Sequence, residues 1–355
     1  MSRRRVALLG VLLVAAALWL ARGPIALRVM DRALLRNLRA DPLAELPDGL
    51  HLLLCGAGGP LPDAVRSGPC AAVVAGGTLV VVDAGSGAAR NLARMGLLPG
   101  LVEALFLTHF HSDHIDGLGE LALLRWTGAA REAPLPVYGP AGVEEVVEGF
   151  GRAYRQDAAY RIAHHGPQTT PPSGAGMTSH PFALPAPGEA VLVWDAGGLR
   201  VTAFGVDHEP VRPAVGYRFE YGGRSLVVSG DTKKSANLTA QARGVDLLVH
   251  EALAPQLVKR LNAAATAAGR ANLAKITVDI LDYHTAPVEA AEIAAEAGVK
   301  HLLFTHVVPP LPLPGLDSVF LEGVSDVYAG GVTLGRDGTL VSLPSGSDGV
   351  EVSQR

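Results

Sequence analysis

From His51 onward, apolar residues recur in short runs bounded by Gly, Pro, Asn and Asp, the pattern of strands. His51–Cys55, Cys70–Ala75 and Thr78–Ala84 read as strands, the last two joined by a hairpin turn at Gly76 and Gly77. Leu105–Thr108 reads as a buried strand. Leu135–Tyr138, Leu199–Val206, Val215–Glu220, Ser225–Ser229, Leu247–Val249 and His301–Thr305 continue the series. Helices are expected near Ala88–Met95, Gly142–Tyr154, Pro255–Ala268 and Pro287–Ala297. Strands dominate early and alternate with helices later, which predicts an α/β fold of stacked sheets with helices outside. Gly166–Gly188, rich in Pro, Gly, Ser and Thr, reads as a long loop, either a functional lid or a plain insertion. No repeat appears at solenoid periods.

The N-terminus has a different pattern. Arg3, Arg4 and Arg5 precede the apolar run Val6–Ala21, with Trp19 near its end. The expectation is an uncleaved signal anchor over residues 1–22, with a cleaved signal peptide or a buried soluble helix as alternatives. Arg28, Arg32 and Arg36 then line one helical face and Leu27, Met30, Leu34 and Leu38 another, as in an amphipathic helix on anionic lipid. Residues 23–48 are assigned to that juxtamembrane helix and a linker, 49–344 to one folded domain, and 345–355 to a flexible tail. The layout favours a folded domain outside the cytoplasm; the arginines at 22, 28, 32, 36 and 39 oppose it and keep a cytoplasmic face as the alternative.

Composition narrows the picture. Of 355 residues, 48% are hydrophobic and 18% charged, so a sizeable core is affordable and bulk disorder is not expected. A net charge of -4 gives no basic footprint for nucleic acid. Cys55 and Cys70 form no CxxC; they are expected as two separate buried hydrophobes, with a disulfide as the alternative in an oxidising compartment.

The chemistry concentrates in Leu105-Phe-Leu-Thr-His109-Phe-His111-Ser-Asp113-His114. Residues two apart beyond a strand point the same way, so His109 and His111 can converge on one ion. The chain then turns, and Asp113 and His114 can face a second. Imidazole and carboxylate are ligand types that zinc accepts. Three further residues are delivered into loops by strands: His208, Asp231 in Ser-Gly-Asp-Thr, and His306 in Phe-Thr-His.

In that order these motifs resemble the metallo-β-lactamase superfamily. The resemblance covers about His51 to Pro312 and implies an αβ/βα sandwich of two mixed sheets with helices on the outer faces. It also implies that His109, His111 and His208 hold one ion and Asp113, His114 and His306 the other, with Asp231 and a hydroxide bridging them. Two Zn2+ are expected, with Mn2+ or Fe as alternatives. A water between two dications becomes a nucleophile at neutral pH, and the metals clamp the charge of the transition state. Flavin-partnered diiron relatives carry Glu where this chain has His111, so the pattern favours hydrolysis.

Gly56-Ala-Gly-Gly-Pro60-Leu-Pro, Arg66-x-Gly68-Pro, Val82-Asp83-Ala-Gly85, Val215-Gly-Tyr-Arg218, His250-Glu251-Ala252 and Tyr283-His284-Thr285 resemble the branch holding ribonuclease Z and the arylsulfatases of this fold. The resemblance implies that His284 contacts the reacting ester oxygen or protonates the leaving group, and that Asp113 is catalytic. Asp83 is either support for the site or a turn former. Arg66, Glu251 and the pair His164 and His165 are weaker candidates for substrate or site contacts. The 22 residues 209–230 are too few for the tRNA-gripping arm of ribonuclease Z. The expected substrate is therefore a small anionic sulfate or phosphate ester. A lactone or thioester is the alternative, ribonuclease Z-type cleavage a further one if the domain is cytoplasmic, and nucleic acid is otherwise not expected. A catalytically idle metal scaffold is disfavoured by seven ligands, and a homodimer is left open.

Overall fold

The computed structural model describes residues 2–39 and 41–355. The chain divides into two compact units, Met1–Glu45 and Leu46–Arg355. In the first, helix α1 (Arg3–Arg39) runs unbroken through Pro24, where two segments meeting at residues 22 and 23 were expected. Its Leu18, Trp19, Leu20, Leu27, Leu34 and Leu38 are exposed. The expected signal anchor falls partly outside the described residues: Met1 and the side chains of Val6, Leu9, Val11, Leu13, Val14, Ala15 and Ala17 are not described. Among the described residues no helix is long and apolar enough to cross a membrane.

The second unit holds all the strands described: β1 (Gly49–Gly56), β2 (Cys70–Ala75), β3 (Thr78–Val82), β4 (Val102–Phe106), β5 (Leu135–Pro140), β6 (Met177–Phe182), β7 (Val191–Ala196) and β8 (Leu199–Gly205). They continue as β9 (Val215–Tyr221), β10 (Arg224–Val228), β11 (Leu247–Leu253), β12 (His301–Val308), β13 (Gly331–Leu334), β14 (Thr339–Pro344) and β15 (Glu351–Gln354). The helices are α2 (Ala88–Arg94), α3 (Ser112–Ile115), α4 (Leu118–Ala129), α5 (Val143–His165), α6 (Ala236–Gln241), α7 (Pro255–Ala267), α8 (Ala271–Asp279), α9 (Pro287–Ala297), α10 (Leu316–Phe320) and α11 (Val324–Val327).

Eight strands form one sheet in the order β15-β14-β1-β2-β3-β4-β5-β6, and seven form the other in the order β13-β12-β11-β10-β9-β8-β7. Both are mixed: β3 to β6 and β10 to β13 run parallel, the rest antiparallel. The period-two alternation of strands explains the layers. Leu50, Leu52 and Leu54 of β1, Val201 of β8, Val249 of β11 and Leu303 of β12 fill the space between the sheets. Their neighbours Phe204, Leu248, Leu302 and Phe304 face the opposite way, against Leu238 of α6 and Ala290, Ile293 and Ala294 of α9. Each such large side chain contributes roughly 1.5–3 kcal/mol on burial.

Four expectations need correction. Helix α5 continues to His165, because the polar stretch after Tyr154 contains no Gly or Pro until Gly166. The expected loop Gly166–Gly188 contains β6, which adds to the edge of the first sheet beside β5. The expected flexible tail forms β15, paired antiparallel with β14. Cys55 and Cys70, expected as separate hydrophobes, form a disulfide that closes the loop between β1 and β2.

Candidate metal centre

The ligand candidates stand where strands end. His109 follows β4, His208 follows β8, Asp231 follows β10, and His306 lies in β12. In α/β sheets such strand ends are the usual place for sites. Local devices aim each side chain. Tyr217 Oη donates to Leu107 O at 2.6 Å and pins the exit of β4. Gly230, at φ 62°, turns the chain before Asp231, and a Cβ there would lie 2.7 Å from Val215 O. In β12 the pairing with β11 skips His306, so a bulge redirects its ring.

The donor atoms converge. His109 Nε2 and His111 Nδ1 are 3.0 Å apart. Asp113 Oδ2 lies 3.3 Å from His306 Nε2 and 3.7 Å from His114 Nε2. Donors on one tetrahedral zinc, at about 2.0–2.1 Å from it, stand roughly 3.3 Å from each other. Asp231 Oδ2 reaches both groups: 3.9 Å to His109 Nε2 and His208 Nε2, 3.5 Å to His114 Nε2 and 3.3 Å to His306 Nε2. The groups able to hold an ion are His109, His111, His208 and Asp231; Asp113, His114 and His306; and Asp231, His284 and His306. His114 Nε2, His208 Nε2 and Asp231 Oδ1 are buried without a hydrogen-bond partner. An unmet buried polar atom costs about 1–3 kcal/mol, so this donor set fits metal ions.

The surroundings set protonation. Burial and the neighbouring His114 push His109 well below the ordinary imidazole value. Burial pushes His208 down too. Burial also opposes charge on His114 and His306, yet Asp231 with Asp83 raises His114 well above its ordinary value, and Asp231 with Asp113 raises His306 to about 9. The Asp231 carboxyl is buried, but the imidazoles around it, His306 and His114 foremost, hold it well below the usual carboxylate range. So much buried carboxylate drawing protons to imidazole is the balance that a cation would replace.

A second ring of contacts orients the first. Asp83 Oδ2 lies 2.8 Å from His114 Nδ1 and accepts from Thr108 Oγ1, while Oδ1 accepts from Thr108 N at 2.9 Å. Asp83 thus meets His114 directly. His208 Nδ1 meets Tyr283 O at 2.9 Å. Glu251, almost fully buried, holds His284 Nδ1 at 3.0 Å and accepts from the backbone of Thr232 and Thr285. Gly59 lies so close to His306 that a Cβ would approach its Cε1 to 2.9 Å. Thr108, Thr232 and the Tyr283 carbonyl were not foreseen; for Thr108 the signal was its place between β4 and His109.

Two weaker candidates are corrected. Arg66 is buried and tied to the loop: its Nε donates to Gly335 O at 2.8 Å and its guanidinium pairs with Asp63. It lines neither cavity that meets the ligands. His164 and His165 are exposed at the end of α5 and line neither cavity, because the helix that carries them is longer than expected.

The Beta-lactamase superfamily domain matches residues 78–307, and the chain belongs to that superfamily. It is a metal-dependent hydrolase of that class. The chain is similar to proteins named ribonuclease Z. One, from Mycobacterium bovis, is 37% identical over 290 residues, 81% of this chain and 96% of the relative. Another, from Mycolicibacterium gilvum, is 39% identical over 267 residues, 74% of this chain and 85% of the relative. The fold is shared with the short form of human tRNase Z at TM-score 0.59 and 19% identity, over 83% of this chain and 99% of that one. It is also shared with the metallo-beta-lactamase fold protein YhfI of Bacillus subtilis at TM-score 0.58 and 20% identity, over 83% of this chain and 100% of that one.

Proposed function

We propose that the chain is a binuclear metal-dependent phosphodiesterase, with zinc as the expected ion and manganese or iron as alternatives. The observation that carries this reading is Asp231, one of whose carboxylate oxygens lies 3.3–3.9 Å from donors of both groups. On this reading His109, His111 and His208 hold one ion, Asp113, His114 and His306 the other, and Asp231 spans them. Two divalent ions bound there polarise a phosphoryl oxygen and acidify water to a nucleophile at neutral pH. Asp113 would orient that water as well as hold an ion. His284 donates the proton to the departing oxygen: its Nδ1 is committed to Glu251, which leaves Nε2 for the substrate. Burial pushes His284 down, but Glu251 more than offsets it and keeps the ring protonated to higher pH than usual, as a general acid requires.

The relatives' name supports the phosphodiester side of the expected ester chemistry; the sulfate, lactone and thioester sides have no such support and are not pursued. The test is turnover of bis(4-nitrophenyl) phosphate by the metal-loaded full chain. Chelator should abolish it, and His284→Ala should lower kcat by about 10²–10⁴-fold with metal content retained. A chain inert on every phosphodiester would sink the reading, and metal lost in parallel with activity would make His284 a ligand.

A second reading, cleavage of RNA, is the ribonuclease Z-type alternative of the sequence analysis; the same relatives favour it over the expectation that nucleic acid is not the substrate. Against it, more than half of residues 209–230 form β9 and β10, which leaves little chain for an arm. We also keep an extracytoplasmic, membrane-tethered location as a proposal. It is supported by the exposed apolar side chains of α1 and by the Cys55–Cys70 disulfide, which suits an oxidising compartment. Alkaline phosphatase fused after Arg355 should be active in cells; activity of a cytoplasm-only fluorophore there instead would place the domain inside.

A further inference from the structure

Beside the donor atoms lies a cavity of about 90 Å³. Its floor is His111, Asp113, Asp231, His284 and His306, and its remaining walls are largely apolar. Leu273 and Ile276 of α8 and Ile280 just after it are spaced three and four apart, so they share one face of the helix. Leu61, Val308 and Tyr283 line it as well, with Pro60 and Thr277. Tyr283 is tied to the centre itself, since its carbonyl meets His208 Nδ1 and its ring centroid lies 4.7 Å from that of His284.

Two features of this wall need an occupant. Ile276 is 54% exposed although it lines the cavity, so it is not there to fill the core. Among the described residues, no Lys or Arg lines this cavity or the second one that meets the ligands. A polynucleotide is held by cations that follow its backbone phosphates beyond the reacting one. Within this cavity the only groups that could hold cations, and so attract an anion, are those of the donor cluster, and the rest of the lining is largely apolar.

We propose that the substrate is a small phosphodiester bearing an apolar or aromatic substituent, and that Leu273, Ile276, Ile280 and Leu61 select that substituent. This rests on the phosphodiesterase reading. The phosphodiester group lies over the donor cluster, within reach of His284, and the substituent lies against α8 and Tyr283. Leu273, Ile276, Ile280 and Leu61 are thus specificity residues.

The test uses the full chain loaded with zinc, and Ile276→Gln, a change at a half-exposed helical position that keeps a good helix former. Calorimetric binding compares diphenyl phosphate with dimethyl phosphate. Turnover compares bis(4-nitrophenyl) phosphate, methyl 4-nitrophenyl phosphate and a tRNA precursor. Diphenyl phosphate should bind at least about tenfold more tightly than dimethyl phosphate, and Ile276→Gln should remove most of that advantage. In the variant KM for the bis-aryl ester should rise about tenfold, well beyond any change for the methyl ester. Equal binding of the two phosphates, or a tRNA precursor turned over with higher kcat/KM than the aryl esters, would overturn this inference and leave the phosphodiesterase reading standing. Turnover of no phosphodiester at all would remove both.

Discussion

Asp83 and His306 have positive φ, at 56° and 45°, and both stand at the candidate metal centre. A side chain held in that region costs on the order of 1–3 kcal/mol and persists only where its surroundings impose it. For His306 the cause is the β12 bulge; for Asp83 it is the pair of bonds to Thr108 together with His114. Asn tolerates the same backbone as Asp, so Asp83→Asn keeps the turn while it removes the charge and turns one of the two acceptor oxygens into a donor. We predict that it weakens metal binding about 10–100-fold, as loss of a partner behind a metal-ligating histidine does. Chelator competition reads this directly, and unchanged affinity would reduce Asp83 to a turn former. The ligand candidates were legible because each follows an apolar run that delivers it to a strand end. Arg66, His164 and His165 were not, because residue type alone says nothing about where the backbone aims a side chain.

At the scale of elements, the buried parallel strands and α9 were legible. Their apolar runs are clean, and Pro287 marks the start of the helix. The edges were not. Strand β6 carries Pro181 and is only half-buried, and β15 is exposed throughout, so neither shows the apolar pattern of a central strand. Helix α8, which supplies the selecting wall, went unseen because its apolar face meets a cavity more than a core.

The parallel joint between β10 and β11 gives a test of stability. The Asp246 carboxylate accepts from Arg224 Nε at 3.1 Å and Ser225 N at 2.9 Å and pairs with Lys300 at 2.9 Å. Burial pushes its pKa up, but those partners, Lys300 first, more than offset this and hold it below the usual value. A carboxyl depressed in the folded state stabilises the fold above its unfolded pKa, about 3.9, and loses that contribution as pH falls through the folded value. Asp246→Asn should therefore cost about 1.5–3 kcal/mol near neutrality, with the gap to wild type closing below about pH 3.9. Urea unfolding across pH checks this; a gap independent of pH would show that the charge plays no part.

At the scale of the whole molecule, the two mixed sheets leave a loop-lined edge where the ends of β4, β8, β10 and β12 deliver seven donors. Each cluster draws on both sheets: His109, His111, Asp113 and His114 follow β4 of the first, while His208, Asp231 and His306 come from β8, β10 and β12 of the second. The sandwich itself therefore builds the centre, and neither sheet alone holds a complete set. The disulfide between Cys55 and Cys70 closes the loop that brings Gly59 against His306. The central claim is that this centre works as a pair of ions. The most direct test titrates zinc into metal-free full chain while following hydrolysis of bis(4-nitrophenyl) phosphate. Activity should climb to a plateau at about two ions per chain, as a two-metal site requires. A plateau at one ion, or activity that persists without metal, would contradict the account.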